Sequence, residues 1–344
     1  MIPKNIAFLY HIKKNRNMRK YPIVKHFLIL TFLALAVLSC NNDDDGGSQS
    51  GENIVEIAMA NPNLSTLVEA LEITDLVTAL EGPGPFTVLA PTNAAFDLFL
   101  ATGNFASIND VPVAVLEQLL LNHVIGSQIN TANFQTLGRN YAETLADGPT
   151  DDTKLSLYFD ATGAAIEFNG ASNVVDGDVL ASNGVIHTVD TVIDFPTLMT
   201  FITNDINFEQ LTTALTTATP GTDFEALLSG TGPFTVFAPA EIAFDELLAT
   251  NPDWNTVDDI DEDLLTAVLQ HHVSNGNLRS EDITDESTVT TLEGDDITFS
   301  LSLGIVTITD GSGNTDIVLA VADIQAANGV MHLITKVMIP DTAN

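Results

Sequence analysis

The sequence predicts one domain carried twice, each copy mixing helices with short strands. Three observations lead there. The phrase Gly84-Pro85-Phe86-Thr87-Val88-Leu89-Ala90-Pro91-Thr92-Asn93-Ala94-Ala95-Phe96-Asp97 returns 148 residues later as Gly232-Pro233-Phe234-Thr235-Val236-Phe237-Ala238-Pro239-Ala240-Glu241-Ile242-Ala243-Phe244-Asp245. A closing phrase, Asn183-Gly184-Val185-Ile186-His187, returns 145 residues later as Asn328-Gly329-Val330-Met331-His332. The chain has 344 residues, enough for two domains of ordinary size. A domain of ~140 residues buries roughly 68% of its unfolded surface and holds a core without covalent staples.

Within the first phrase a Gly-Pro breaker precedes a short apolar run rich in β-formers, and Ala-Pro follows. An uninterrupted apolar run between breakers fits a strand buried on both faces. The second proline stops that strand and suits the first turn of the helical pattern that comes next. The pairs Phe86/Phe96 and Phe234/Phe244 are placed to lock strand onto helix. Thr92 or Asn93 can cap that helix by accepting from its free N–H groups, whereas Ala240 cannot, at a cost of about 1 kcal/mol. Glu241 offsets part of this through the helix dipole.

The charge is lopsided. Seven of the 11 basic residues precede Cys40 and no acid does. After Cys40 only Arg139, Lys154, Arg279 and Lys336 face 46 acids, a net charge of −42. Such a field repels phosphate backbones and anionic lipid surfaces, which excludes nucleic-acid binding. Acids scattered in this way keep a surface solvated; adaptation to saline surroundings is a second reading. The single cysteine, Cys40, excludes a disulfide framework.

Residues 1–40 read as a signal peptide. A basic segment leads into the 12-residue apolar run 27–38, too short for a stable membrane span and right for the apolar part of a secretory leader. Met18, followed by Arg-Lys, is an alternative start. Val37-Leu38-Ser39-Cys40 resembles a bacterial lipobox, which implies cleavage before Cys40 and lipidation of its thiol. Several acyl chains at ~0.8 kcal/mol per buried CH₂ make a stable anchor. Residues 41–51 then form an acidic Gly/Ser tether. Its Asp43 to Asp45 cluster is either a solvated linker or, by resemblance to Bacteroidetes lipoproteins, a surface-export signal.

Ile54, Ile57, Ala58, Leu64, Leu67 and Leu71 fall at helical spacing, and Phe208, Leu211 and Leu215 repeat it 144 residues on. Residues 217–223 add a loop insertion to the second copy, the kind of change a fold tolerates. Residues 113–124 and 263–273 are strongly helical. Short strands follow at 154–159, 165–169, 297–303 and 306–309, punctuated by glycine-bearing turns. The closing Asn-Gly pairs supply the positive φ of a tight hairpin turn, and the strands after them are apolar.

The first phrase resembles the opening signature of the fasciclin (FAS1) domain family, and the closing phrase resembles its second signature. A third position, His123 and His272, resembles the family's Tyr-His motif, which in animal relatives is linked to integrin binding. Asn122 and His271 stand where the Tyr belongs, which weighs against integrin-type recognition. The resemblance covers residues 52–196 and 197–341. It implies an α+β fold: two tandem fasciclin-like domains, each a β-wedge or sandwich with a helical cluster. It also implies adhesion or extracellular-matrix-like binding.

No catalytic residue is expected. There is no nucleophile elbow, P-loop or catalytic cysteine. Each copy has one helical histidine (His123, His272) and one strand histidine (His187, His332). The first pair is the candidate binding position, and the second reads as structural. Neither has a ligand at metal spacing, so no metal and no cofactor are expected. Asp310-Gly-Ser-Gly-Asn-Thr-Asp316 reads as a turn, since a calcium loop needs Glu where Val321 stands. One Trp and two Tyr after Cys40 argue against sugar stacking.

The expectation is a non-enzymatic adhesion or protein-interaction lipoprotein, anchored through Cys40 to the outer membrane of the cell envelope. Its partner would be a surface or extracellular protein or a polysaccharide. An envelope protein binding a carbohydrate or a small apolar ligand is the alternative. If self-repulsion limits stability, salt must relieve it, because the Debye length shrinks from ~8 Å towards ~3 Å as ionic strength rises to 1 M. The melting temperature is expected to climb with added NaCl. A flat value from low salt to seawater strength, read by calorimetry, removes the saline reading.

Overall fold

The computed structural model describes residues 51–341; the leader, Cys40 and tether residues 41–50 lie outside the described residues. The first repeat opens with three helices, α1 (Ile54–Ala60), α2 (Ser65–Ile73) and α3 (Val77–Glu81). Strand β1 (Phe86–Pro91) and helix α4 (Asn93–Gly103) follow, then α5 (Val113–Leu121), β2 (Val124–Ile125) and α6 (Thr131–Leu137). The repeat ends in β3 (Arg139–Asp147), β4 (Lys154–Asp160), β5 (Glu167–Phe168), β6 (Ser172–Ala181) and β7 (Gly184–Val189).

The second repeat carries α7 (Leu198–Asn204), α8 (Glu209–Thr216), α9 (Phe224–Leu228), β8 (Phe234–Pro239), α10 (Glu241–Leu248), α11 (Glu262–His271) and β9 (Val273–Asn275). Strands β10 (Thr288–Thr290), β11 (Asp296–Ser302), β12 (Ile305–Thr309), β13 (Ile317–Ala326) and β14 (Gly329–Ile334) complete it. The class is α+β. Strands β1 to β7 close into a barrel, and the other seven run in the order β10-β11-β12-β13-β14-β8-β9, a barrel-like sheet whose ends touch at the Ser274–Thr291 bridge.

The two repeated phrases lie side by side. β1 pairs in parallel with β7, Phe86 opposite Gly184 and Leu89 opposite His187. β8 pairs in the same way with β14, Phe234 opposite Gly329 and Phe237 opposite His332. These central strands are buried almost throughout, as uninterrupted apolar runs require. On one side Phe96 and Phe244 sit fully buried among the helices; on the other, Phe134, Phe159 and Phe168, or Phe237 and Phe299, fill the barrel.

One expectation needs correcting. Asn-Gly does not form the closing hairpin turn. Ala181 pairs with Gly184 and Ala326 with Gly329, so Ser182-Asn183 and Ala327-Asn328 make the turns and each glycine begins a strand. The glycine is needed for close approach: a Cβ on Gly184 or Gly329 would sit 2.1 Å from the carbonyl oxygen of Phe86 or Phe234. The asparagine acts as a three-way tie. Asn328 Nδ2 donates to the carbonyls of Leu228 (2.7 Å) and Gly230 (2.9 Å), and Oδ1 accepts from Leu198 N–H (2.9 Å). Asn183 ties Leu80, Gly82 and Ile54 likewise.

The helix caps follow the residues. Thr92 Oγ1 accepts from Ala95 N–H at 3.1 Å, and Ala240 makes no side-chain cap. Asn93 does not cap; it reaches across to Thr66 N–H at 3.0 Å and the Pro62 carbonyl at 2.9 Å. Glu241 takes over that tie, accepting from Gln210 N–H at 2.7 Å. Across the repeats, Tyr141 donates to Asp205 at 2.9 Å and packs edge-on against Phe201, and Gln325 N–H donates to Ser156 Oγ at 2.9 Å.

Because Asn328 satisfies three buried backbone groups, Asn328→Ala is expected to lower the unfolding free energy of the second repeat by about 3 kcal/mol. Urea unfolding of the variant measures this. A loss under about 0.5 kcal/mol, the size of an ordinary surface substitution, defeats the tie.

Candidate functional site

The four histidines are all buried. His123 follows α5, and its Nδ1 donates to the Leu119 carbonyl at 2.7 Å while Nε2 accepts from Ile193 N–H at 2.9 Å. His272 repeats this with the Val268 carbonyl at 2.7 Å and Met338 N–H at 2.9 Å. One nitrogen therefore carries the proton and the other does not, a neutral ring bolting helix to C-terminal segment. Both rings are 2% exposed, so the chain's own backbone occupies them. His187 and His332 sit in the barrel, donating to the Ile129 and Leu278 carbonyls at 2.8 Å and accepting from Asp178 and Asp323 N–H at 3.2 Å. The helical and strand histidines of a repeat do not share a site. Burial pushes His123 and His272 down to about 4, against the opposing pull of the Leu119 and Val268 carbonyls.

At the Tyr position, Asn122 is buried, its Nδ2 on the carbonyls of Ile193 (3.2 Å) and Asp194 (3.3 Å). His271 stands there in the second repeat, a buried ring beside two carboxylates. Its ring, Glu293 and Asp295 offer ligand atoms within 4.8 Å of one another. Gly311 N–H donates to Nε2 at 3.2 Å, so the proton sits on Nδ1, facing Thr291 Oγ1 at 3.2 Å and Glu293 Oε2 at 3.6 Å. Ligation through Nδ1 would strip that proton and set Nε2–H against Gly311 N–H. The arrangement is a hydrogen-bonded group. The Asp310 carboxylate is likewise spent on its own turn, accepting from Ser312 Oγ, Asn314 N–H, Asn314 Nδ2 and Ile339 N–H at 2.8–2.9 Å.

Two surface features of the second repeat stand out. The first is the tip of the β11–β12 hairpin. Ile297, Phe299 and Leu301 share one face of β11; the first two are fully buried and the third is exposed, so the apolar face outruns the core. Leu303 is fully exposed at the turn, and Ile305 is exposed beside it. Leu303 holds φ at 53°, a left-handed conformation ordinary for glycine or asparagine and costly for leucine. The second feature is a cavity of about 270 Å³ between α10, α11 and the C-terminal segment, walled by Leu247, Trp254, Ile260, Leu264, Val268 and Ile339. A second cavity of about 180 Å³ shares Leu247, Thr250 and Ile339 with it and is bordered at one end by Glu246, Asn314, Asp316 and Lys336.

Sequence reasoning placed the hairpin but not its tip. The available signal was charge: residues 297–309 contain no ionisable side chain in a strongly acidic chain. The cavity had no comparable signal, since its wall reads as ordinary helix core.

The histidines set an acid limit. A ring held near 4 when folded and near 6.5 when unfolded contributes fully above ~6.5 and loses its contribution as pH falls towards 4. At pH 5 each of His123 and His272 is expected to cost about 2 kcal/mol. Urea unfolding at pH 7 and pH 5 should show this, and His272→Asn should be weaker at pH 7 but flatter with pH. An unchanged slope in that variant breaks the assignment.

The Fasciclin domain family matches residues 62–196 and 207–340. The transforming growth factor-beta-induced protein ig-h3 of Sus scrofa is 29% identical over 273 residues, 77% of this chain and 36% of that protein. Human periostin is 27% identical over 267 residues, 77% of this chain and 29% of that protein. This chain thus spans about a third of the length of these animal relatives. Protein sll1483 of Synechocystis is 37% identical over 146 residues, 42% of this chain and 75% of that protein. A FAS1 domain pair from the insect cell adhesion molecule Fasciclin I shares the fold with a TM-score of 0.50 at 17% identity, over 81% of this chain and 98% of that one. With the parallel pairing of two signatures in each repeat, these matches show that the chain belongs to the fasciclin domain family.

Proposed function

We propose that the chain is a non-enzymatic adhesion or protein-interaction protein, held at the outer membrane by lipid on Cys40 and presenting its second repeat to a protein partner. The observation that carries this reading is the hairpin tip. Leu301, Leu303 and Ile305 stand in solvent on a segment free of charge. Exposed apolar clusters rimmed by polar residues mark interaction sites. Leu303 holds a φ that an asparagine would hold at less cost, and backbone strain of that kind points to use. A neutral segment can also approach another acidic surface without the repulsion that the rest of the chain brings. The corresponding turn of the first repeat, Thr162-Gly163-Ala164-Ala165, offers small side chains only. Relatedness to animal ig-h3 and periostin and to bacterial fasciclin proteins supports the same class of role.

A small-ligand role is the second reading, favoured by the cavity beside Trp254. For the first, Leu303→Asp is expected to lower the adhering fraction of cells displaying the chain about tenfold, the effect of losing one buried anchor. Thr162→Asp on the first repeat is the control. Adhesion that survives Leu303→Asp, counted under flow, removes the hairpin from the interface.

A further inference from the structure

We infer that the trough in the second repeat is a binding site for a small amphipathic cation: an aromatic or aliphatic body seated beside Trp254, with an ammonium head towards Glu246 and Asp316.

The site exists because the two repeats fill one location differently. In the first repeat Phe105 folds back on α4 and stacks on Phe99 with ring centroids 6.4 Å apart. That fold-back needs Gly103: a Cβ there would meet the Phe105 ring at 2.7 Å. The second repeat aligns through its shared Ala-Thr dipeptide, Ala101-Thr102 with Ala249-Thr250. Leu247 then stands for Phe99, Asn251 for Gly103 and Trp254 for Phe105, with one residue inserted between the last two. Asn251 has the Cβ that the fold-back leaves no room for, and the inserted residue moves Trp254 one place further along the chain, so the second repeat lacks the glycine on which the Phe105 ring rests. Leu247 is smaller than the phenylalanine it replaces. The lid is held off and the seat beneath it is left open, with Leu247, Trp254, Leu264 and Ile339 each only half-buried.

Size and charge choose the occupant. An apolar cavity of ~150 Å³ accepts a benzene-sized ligand; about 270 Å³ here accepts a phenyl ring with a short alkyl arm. The adjoining cavity has two carboxylates on its border, Glu246 and Asp316, against one ammonium, Lys336. Lys336 already donates to Asp316 at 2.6 Å, so a carboxylate head meets two acids and an occupied cation. An ammonium head meets an excess of negative charge, within a chain whose overall field gathers cations. Thr250 Oγ1 is committed to the Leu247 carbonyl at 2.7 Å, and Asn314 Nδ2 to Asp310 and Ser312 at 2.9 Å. Selection at the polar end therefore falls to charge.

Trp254 is the single tryptophan of the chain, so its fluorescence reports the site directly. The full chain is titrated with 4-phenylbutylamine, the neutral 4-phenylbutanol and 4-phenylbutyrate. The amine is expected to shift the emission and to bind about tenfold more tightly than the carboxylate, with the alcohol between, the gap closing in 1 M NaCl. An N-acetyl-Phe-Lys-amide arm separates a free amine from an apolar–basic peptide as the source of the same chemistry. Leu247→Phe, which restores the ring of the first repeat, should abolish the response. Glu246→Gln should equalise amine and alcohol while the alcohol still binds. No emission change with any probe, a response that survives Leu247→Phe, or equal binding of amine and carboxylate overturns the proposal. The adhesion reading fails separately: Leu303→Asp should leave these titrations unchanged, and Leu247→Phe should leave adhesion unchanged.

Discussion

Everything in each repeat depends on one parallel pairing between strands about a hundred residues apart. β1 against β7, and β8 against β14, join the start of the domain to its end. Parallel strands need a long crossover, and here the crossover is most of the domain: three helices in the first repeat and two in the second, then the meander of the barrel. The pairing works at contact distance because Gly184 and Gly329 have no side chain to push the partner backbone away. Asn183 and Asn328 then extend the joint into the helices, satisfying backbone groups of two helical segments at once. The buried histidines do the same work one layer out. His123 and His272 connect a helix end to the segment after the closing strand; His187 and His332 connect that strand to the loop after the helix.

Seen this way, the conserved chemistry between the repeats is cross-bracing. Each brace is a polar side chain placed where two backbone stretches end with unpaired groups, which are costly when buried. That accounts for the neutrality of the helical imidazoles: a charged ring would need two acceptors, and each of these rings meets one acceptor and one donor. It also accounts for the tolerance of the joint to Ala240. Losing the Thr cap removes one bond from the helix start, but Glu241 preserves the tie between helices that Asn93 makes in the first copy.

The scaffold was legible in the sequence because its determinants are local and repeated. Apolar runs between breakers, helical spacing and a duplicated phrase carry periodicity that a linear reading detects. The Asn-Gly pair was misread because its reason is not local: the glycine answers to Phe86 or Phe234, far off in the chain, and the turn falls one residue earlier. The buried partners of His123 and His272 were hidden for the same cause, lying about 70 residues away in Ile193 and 66 away in Met338. The cavity was less legible still. Asn251 in place of Gly103 looks like a neutral loop exchange until the Phe105 ring is seen resting on that glycine.

A duplicated domain also separates what the fold needs from what one copy has added. Where the repeats agree, the shared residues brace the barrel or fill it. Where they differ, the second copy departs in two ways that stability alone does not favour. Its hairpin carries an apolar tip past the core with a leucine in left-handed conformation, where the first copy has small residues. Its helix pair leaves half-buried apolar walls around a hollow, where the first copy stacks two phenylalanines. The hollow gives up packing that the stacked phenylalanines of the first copy provide, and the tip exposes leucine and isoleucine where the first copy has little apolar surface to expose, at roughly 25 cal/mol per Å² of apolar surface left wet. Both repeats expose scattered large apolar side chains, Leu98 and Leu180 in the first as Ile242 in the second; what sets the second apart is their clustering at one charge-free hairpin tip and around one open hollow.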